Sequence, residues 1–387
     1  RPPTMALLFV ICFWAAAFGL PKAPVSRGTI SRIGIRRYTP NHRCSTKSMS
    51  DFSRILPSRP HQGYPTRAQV VGSELVENDK KLGLRERFVS MIERVQGELI
   101  DELEALDGSG KKFIDSPWTR ESTGSGGGYG RTRVLEGGRV FEKAAAGVTV
   151  ISGALSPERA AAMSARGRPA TPGAIYHAAA LSLVFHPESP LVPTFRADVR
   201  MFALEGDEDT GAWFGGGADL TPSYLDTQDA QEFHQFWKKT CDRHDADYYT
   251  TFKKECDEYF YLPARNEHRG IGGIFFDDME GTPETLAFVT DVADSWMDSY
   301  RDIVIRHRNQ EYTKEQKDWQ LLRRGRYAEF NMIWDRGVRF GLLSGGDIDR
   351  IMVSAPPVVR WAYNATPVPG SKEEEIMEVL RSPRAWA

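Results

Sequence analysis

The sequence predicts an α+β fold in a single domain, with a large antiparallel sheet flanked by helices on both faces. Two observations carry this. Strand-like runs follow one another between about residues 139 and 216, whereas the helical patterns are concentrated after about residue 228. Strands in series followed by helices point to α+β rather than to alternating β-α units. No internal repeat appears, and composition does not shift after about residue 80. Residues 80–387 therefore read as one domain, although the length would also accommodate two.

Taken in order, the segment "DKKLGLRERFVSMIERVQGELIDELEAL" places Phe88, Met91, Ile92, Val95, Leu99 and Leu103 at helical spacing, which predicts a long amphipathic helix. The glycines of "TGSGGGYGRTRVLEGG" invite a phosphate-loop reading, but no GK[ST] follows and no GxGxxG opens a helix, so a mobile loop is expected. Strands are expected at "RVFEKAAAGVTVIS", "ALSLVFH", "TFRADVRMFAL", "GAWFGG", "IGGIFFDD" and "YAEFNMIWD". Helices are expected at 228–243, 248–261, 284–308 and 314–323. Within "RGRYAEFNMIWDRGVRF" (Arg324–Phe340), a period of two puts Tyr327, Glu329, Asn331, Ile333 and Asp335 on one face, and Ala328, Phe330, Met332 and Trp334 on the other. That reading leaves a carboxylate and an amide to be explained on the first face.

Composition narrows the class. Apolar residues make up 41% and charged residues 26%, as in a globular protein with a sizeable core. The net charge of -2 conceals an asymmetry: residues 1–50 hold eight basic side chains and no acidic one, so the remainder stands at 42 basic against 52 acidic. An acidic body argues against a nucleic-acid partner, which would require a basic footprint. Four cysteines show no CxxC and no zinc spacing, and Cys241 and Cys256 read as free thiols in a reducing compartment. From Met5 an apolar run to Phe18 has the length of a signal-peptide core and is too short to span a bilayer. An Arg- and Ser-rich, acid-free stretch follows, as in transit peptides. The expected organisation is a leader over 1–50, a Pro/Ser/Arg-rich linker over 51–79 and a catalytic domain over 80–387, with no membrane span. The leader resembles the bipartite kind that directs proteins to complex plastids; a plain secretory signal is the alternative.

Several segments carry candidate chemistry. "WFGGGADLTPSYL" sets three glycines before Asp219, either for close approach to a ligand or for a tight turn capped by the carboxylate. Arg196 and Arg200, four apart, share one face of a strand and could clamp a carboxylate or a phosphate, or bridge to neighbouring acids. Asp277 and Asp278 end a strand as a pair, a weak Mg²⁺ signal with no third carboxylate at a telling spacing. The eight histidines form no HExxH, and no nucleophile elbow appears; whether His186 and His234 meet is left open. The residues alone describe an anion-binding cleft with strand-borne carboxylates and no cofactor motif.

Together "SLVFHP", "WFGGGADLTPSYL", "RNEHRGIGGIFFDD", "LRRGRYAEFNMIWDRG" and "MVSAPPVVRWAY" resemble the oxygen-dependent coproporphyrinogen III oxidase family, in the family's order from about residue 80 to the end. The resemblance implies a large flat antiparallel sheet covered by helices and a homodimer. It also implies oxidative decarboxylation of two of the four propionates of coproporphyrinogen III to vinyl groups, with O₂ as co-substrate and neither metal nor organic cofactor. By that likeness Asp335 faces the pyrrole N–H groups and draws off a proton. Arg336 and Arg200 hold propionates, Asp219 is the second catalytic carboxylate, and Ser182 contacts substrate. Asp198, Val199, Arg339, Gly345, Gly346 and Asp347 complete the substrate ring. The chain departs from the family at four of its positions. Arg196 stands where a proton-donating histidine is usual, Asp198 where an asparagine is usual, Ala264 in place of a histidine, and Asp347 where the loop usually carries arginine. An arginine does not act as an acid near neutral pH. Two other readings stay open: a non-catalytic or substrate-shifted tetrapyrrole-binding paralogue, and a metal-dependent phosphate hydrolase built on Arg196, Arg200, Asp277 and Asp278.

Overall fold

Alternation along the strands builds a sheet with two unlike faces. In the computed structural model, which describes residues 82–121, 126–165, 167–206, 211–343 and 346–387, the chain enters through α1 (Leu84–Asp107) and lays down β1 (Ile114–Arg120), β2 (Gly126–Glu136) and β3 (Phe141–Ala154). A short α2 (Pro157–Ala165) precedes β4 (Ile175–Pro187), β5 (Thr194–Leu204) and β6 (Trp213–Thr221). Then come α3 (Thr227–Asp242), α4 (Tyr248–Tyr259), a small hairpin of β7 (Tyr261–Leu262) and β8 (Glu267–His268), and β9 (Gly272–Glu280). The chain finishes with α5 (Pro283–Asp294), α6 (Trp296–His307), α7 (Lys314–Ile333), α8 (Arg336–Leu343), α9 (Ile348–Ile351), a 3₁₀ turn (Met352–Ser354) and α10 (Lys372–Arg381). The main sheet has seven strands in the order β1-β2-β3-β4-β5-β6-β9, every neighbour antiparallel. The α+β architecture expected from the sequence is thus observed. The leader and the linker expected at 1–50 and 51–79 lie outside the described residues.

One face of the sheet is the core. Leu181, Leu183 and Phe185 of β4 and Phe195, Ala197, Val199 and Met201 of β5 are fully buried and pack with α1, α3, α5 and α6 through Phe88, Phe233, Val289, Trp296 and Tyr300. Each of the Leu, Phe, Val and Met side chains removed from water contributes roughly 1.5–3 kcal/mol. The intervening residues, Ala180, Ser182, Arg196, Asp198 and Arg200, point to the opposite face and are only half-buried. There the C-terminal half of α7 covers one end, with Tyr327 against Ala145 and Val184, and Phe330 against Phe260 and Phe275.

Three sequence expectations are corrected. Residues 327–335 are not a strand: 327–333 complete α7, which starts at a capping box between Thr313 and Gln316. Among its buried residues Gln320, Arg323, Arg324, Tyr327, Phe330 and Asn331 recur with a 3.6-residue period, which the aromatics of this stretch also satisfy. Glu329 is explained by ion pairs to Arg265 at 2.6 Å and Arg326 at 3.1 Å and by the Trp361 indole at 2.9 Å, not by a ligand. The glycine-rich segment is no loop over 126–136: it is β2, paired along its whole length with β3. At Gly130 a Cβ would come within 2.5 Å of the Trp118 ring, so a missing side chain there makes room for a neighbour. The helix expected over 284–308 breaks at Ser295 into α5 and α6.

The turn between β2 and β3 is organised by a buried carboxylate at the end of α1. Asp107 accepts from the backbone N–H groups of Val140 at 2.8 Å and Phe141 at 3.0 Å, and from those of Arg139 and Ser109. Gly137, at φ +63°, takes a backbone conformation that other residues resist, and Gly138 approaches Asp107 so closely that a Cβ would clash. Burial pushes the Asp107 carboxyl up, but these hydrogen bonds outweigh it and leave the pKa below the ordinary value. Asp107→Asn is expected to cost roughly 1–3 kcal/mol at neutral pH, because an amide turns one donor toward donors. A depressed carboxylate stabilises the fold above its unfolded pKa, roughly 3.9, and loses that contribution as pH falls through the folded value. Urea denaturation at pH 7 and at pH 3 should therefore show a wild-type advantage that shrinks in acid.

Candidate active site

The half-buried face of β4, β5, β6 and β9 is floored by small residues and crossed by charges. Cross-strand register puts Ser182 beside Asp198, Asp198 beside Gly217, and Arg200 beside Gly215. Arg200 lies over Gly215, where a Cβ would meet its Nε at 2.8 Å. The Arg200 guanidinium donates to Asp198 at 2.6 Å and pairs with Asp277 of β9 at 3.1 Å. Asp277 in turn pairs with Arg336, the first residue of α8, at 3.3 Å. Arg336 is half exposed and lies over the rings of Tyr259 and Phe275, and its backbone N–H donates to the Tyr259 hydroxyl at 3.1 Å. Burial alone would lower the Arg200 pKa, but Asp198 and Asp277 outweigh it and raise it, so this guanidinium stays charged throughout.

Beneath one end of this chain of charges is a fully buried ion pair. Arg269 donates to both oxygens of Asp219 at 2.8 Å and to Asn331 Oδ1 at 3.2 Å. Its guanidinium is stacked among the rings of Phe260, Tyr327 and Phe330. Burial works against the Arg269 charge, and Asp219 overrides it and holds its pKa above the ordinary value. Asp219 thus shares the face of its register partner Arg196 but lies buried at the end that α7 covers, engaged there by Arg269. Arg196, its register partner on β5, lies along the sheet. It donates to the Ser182 hydroxyl and to the Leu183 carbonyl, the latter at 2.9 Å, and has no carboxylate in ion-pair range among the described residues.

Asp335 sits in the break between α7 and α8, not on a strand. Its backbone N–H donates to the Phe330 carbonyl at 3.0 Å and its Oδ1 accepts from Val338 N–H at 2.8 Å, capping α8. The side chain is almost fully shielded, at 8% exposure, yet no basic group pairs with it among the described residues. Past α8, Asp347 caps α9 and pairs with Arg350 at 3.3 Å, while Arg350 lies over the Trp118 ring at 5.5 Å. Arg339 is exposed, and Gly346 donates to the Gly341 carbonyl. Gly345 lies outside the described residues. Val199 is buried on the core face, so its side chain cannot touch a ligand on the opposite face.

The structure thus gathers Ser182, Arg196, Asp198 and Arg200 on one surface and ties Arg336 to it. The linking residue, Asp277, was visible in the sequence only as half of a weak metal pair. In the sequence Arg269 shows only as one of several charged residues packed before a strand, with no sign of its partner, and Tyr259, a tyrosine in a helix, reads as core. Two guanidiniums on Asp277 disfavour a divalent cation there, which weighs against the hydrolase reading. The histidines do other work. His186, pushed well down by burial, contacts the Ser354 carbonyl, and His234, pushed down to about 3 by burial, contacts Tyr249 and the Ile271 carbonyl.

With the fold and the site established, comparison with known proteins gives the class first. The family model described as Coproporphyrinogen III oxidase matches residues 87–386, and the chain belongs to that family of oxidoreductases. A Hordeum vulgare protein named oxygen-dependent coproporphyrinogen-III oxidase, chloroplastic, is 44% identical over 317 residues, covering 78% of this chain and 80% of its own. A Francisella philomiragia oxygen-dependent coproporphyrinogen-III oxidase is also 44% identical, over 78% of this chain and 97% of its own. The Arabidopsis thaliana protein coproporphyrinogen-III oxidase 1, chloroplastic, is 40% identical over 81% of this chain and 82% of its own.

Asp219→Asn leaves Arg269 charged and uncompensated in a fully buried site, and is expected to cost about 3–5 kcal/mol. Equilibrium unfolding in urea should show a lower midpoint with an unchanged slope.

Proposed function

We propose that this chain catalyses the O₂-dependent oxidative decarboxylation of coproporphyrinogen III to protoporphyrinogen IX. The observation that carries the reading is the pairing of opposites on one open face. A shielded carboxylate without a basic partner, Asp335, stands at the edge of a floor crossed by Arg200 and Arg336. A porphyrinogen is a ring of pyrrole N–H donors edged by carboxylates, so it needs an acceptor for the ring and guanidiniums for the rim. Asp335 accepts a pyrrole N–H and takes its proton, leaving an electron-rich pyrrole that O₂ can oxidise. Each propionate then loses CO₂ and one hydrogen from the neighbouring carbon, a two-electron oxidation with O₂ as acceptor. Arg200 and Arg336 hold carboxylates by charge-assisted hydrogen bonds. Arg196, free of any carboxylate among the described residues, is available to a third acid group. Asp219 acts through Arg269 as a positioning residue that fixes the helical wall.

We assign no metal and no organic cofactor, and expect turnover to survive a chelator; loss of activity on chelation would favour the metal-dependent reading. The catalytic assignment is preferred to a non-catalytic paralogue because the relatives are named as oxidases and the Asp335–Arg336 step is intact. We further propose delivery to a plastid. Support comes from the acid-free leader at 1–50 and from two plant relatives named chloroplastic, although a bacterial relative covers the chain equally well. A homodimer is the assembly expected from the family resemblance, and light scattering of the mature protein tests it.

The activity is tested by adding coproporphyrinogen III anaerobically, then admitting air and separating the products by chromatography. A product lacking two carboxylates is expected; tight binding without product would make the protein a tetrapyrrole-binding relative. Asp335→Asn keeps a side chain able to cap α8 but removes the base. Turnover should fall by roughly 10²–10⁴ with substrate binding little changed, and undiminished turnover would remove Asp335 from its role.

A further inference from the structure

Gly147, on β3, is a glycine that the protein itself does not require. It is absent from the positive-φ residues, so the backbone does not demand it. A Cβ built on it meets no described atom within 4 Å, so packing does not demand it either. Other glycines of the sheet are accounted for by their neighbours: Gly130 by the Trp118 ring at 2.5 Å, and Gly215 by Arg200 at 2.8 Å. A glycine inside a strand weakens it, and where backbone and neighbours give no reason the remaining one is close approach of a ligand.

The surroundings say what kind of ligand. Thr132 of β2 and Ser182 of β4 stand directly opposite Gly147, on its left and its right, and share its face of the sheet. Thr149 follows two residues along the same strand, hence on the same face. The gap is two strand spacings wide, about 10 Å between the flanking backbones. Three hydroxyls thus border an opening that no described side chain fills. Ser182 already accepts from Arg196, which leaves its own proton free to donate outward and brings a cation to the edge.

We propose that Gly147 opens a hydroxyl-bordered notch in the floor of the active site, and that this notch seats one carboxylate-bearing side chain of the substrate against the sheet. Thr132, Thr149 and Ser182 supply the donors, and Arg196 the counter-charge. Gly147 is then a specificity-determining residue for the activity proposed above, on which this inference rests.

The test uses Gly147→Ala and Gly147→Val in the full mature chain. Three quantities are measured: the thermal midpoint, steady-state constants for coproporphyrinogen III, and the Kd of coproporphyrin III by fluorescence titration. A side chain that suits a strand should leave the midpoint equal or higher, so fold and binding are expected to move in opposite directions. KM and Kd should rise about threefold for Ala and about tenfold or more for Val, with kcat within about twofold, the pattern of lost uniform binding. A folded Val variant with wild-type KM and Kd overturns the notch, and so does a fall in kcat at unchanged Kd. Should the wild type bind coproporphyrin III without turning over, the reaction assignment fails while the Kd ratios still decide the notch. Gly147→Asp should weaken binding at least about fivefold more than Gly147→Asn, by like-charge repulsion; equal losses would overturn the carboxylate as the occupant.

Discussion

The pairing of Arg269 with Asp219 ties the two layers of the catalytic region together. A guanidinium with no exposed surface is held on its two terminal nitrogens, by a strand carboxylate beneath it and by Asn331 of α7 beside it. Aromatic rings close the remaining sides. Such a pair is not cheap to bury, and a hydrophobic replacement could be as stable. What it contributes is geometry: it locks the end of α7 over β6, and Asp335 follows that end directly. The cap that Asp335 makes on α8 then points Arg336 back across Tyr259 to Asp277 on β9. A carboxylate and an arginine adjacent in sequence are in this way pinned from two sides.

The open face lives under an opposite constraint. Guanidiniums placed to receive carboxylates would repel one another if left alone, and here they alternate with acids: Asp198, Arg200, Asp277, Arg336. Arg200 is the more fully engaged, with a carboxylate on each nitrogen of its outer edge, while Arg336 is half exposed. The exposed end of this chain of charges is Arg336, and exchanging one carboxylate partner for another there needs little desolvation of the arginine.

The fold was readable where side-chain period and burial agree. β5 alternates between buried and half-buried residues from Phe195 onward, and that pattern named both the strand and the shared face of Arg196 and Arg200, whereas β4 alternates only over its middle residues. The reading failed where one pattern fits two periods. In 327–333 Ala328, Phe330 and Met332 satisfy a period of two while Tyr327, Phe330 and Asn331 satisfy 3.6, and the decision is made at a distance, by the capping box at Thr313 and by partners such as Ala145 and Val184. It failed again at β2, because glycine carries no side chain to show a period, and only the β3 partner along its whole length makes that segment a strand. For the site, the family likeness pointed to Asp335 and Arg336, but the roles of Asp277, Arg269 and Tyr259 became visible only with the pairing of β9, the buried ion pair and the ring under Arg336.

The departures that the family resemblance implies look damaging in sequence, and two of them, Asp198 and Asp347, are balanced in space. Asp198 adds a negative charge where an amide is usual, and the Arg200 guanidinium meets it at 2.6 Å. Asp347 adds another where a cation is usual, and Arg350 meets it at 3.3 Å. Arg196 replaces a histidine and brings a positive charge bound only to a hydroxyl and to carbonyls, not to an acid, among the described residues. Each new acid is therefore neutralised locally, and the new cation is not. The effect is to move available positive charge away from the α8–α9 loop and toward β5, beside Ser182 and Gly147. A histidine at that point could give and take a proton, whereas an arginine can only hold charge.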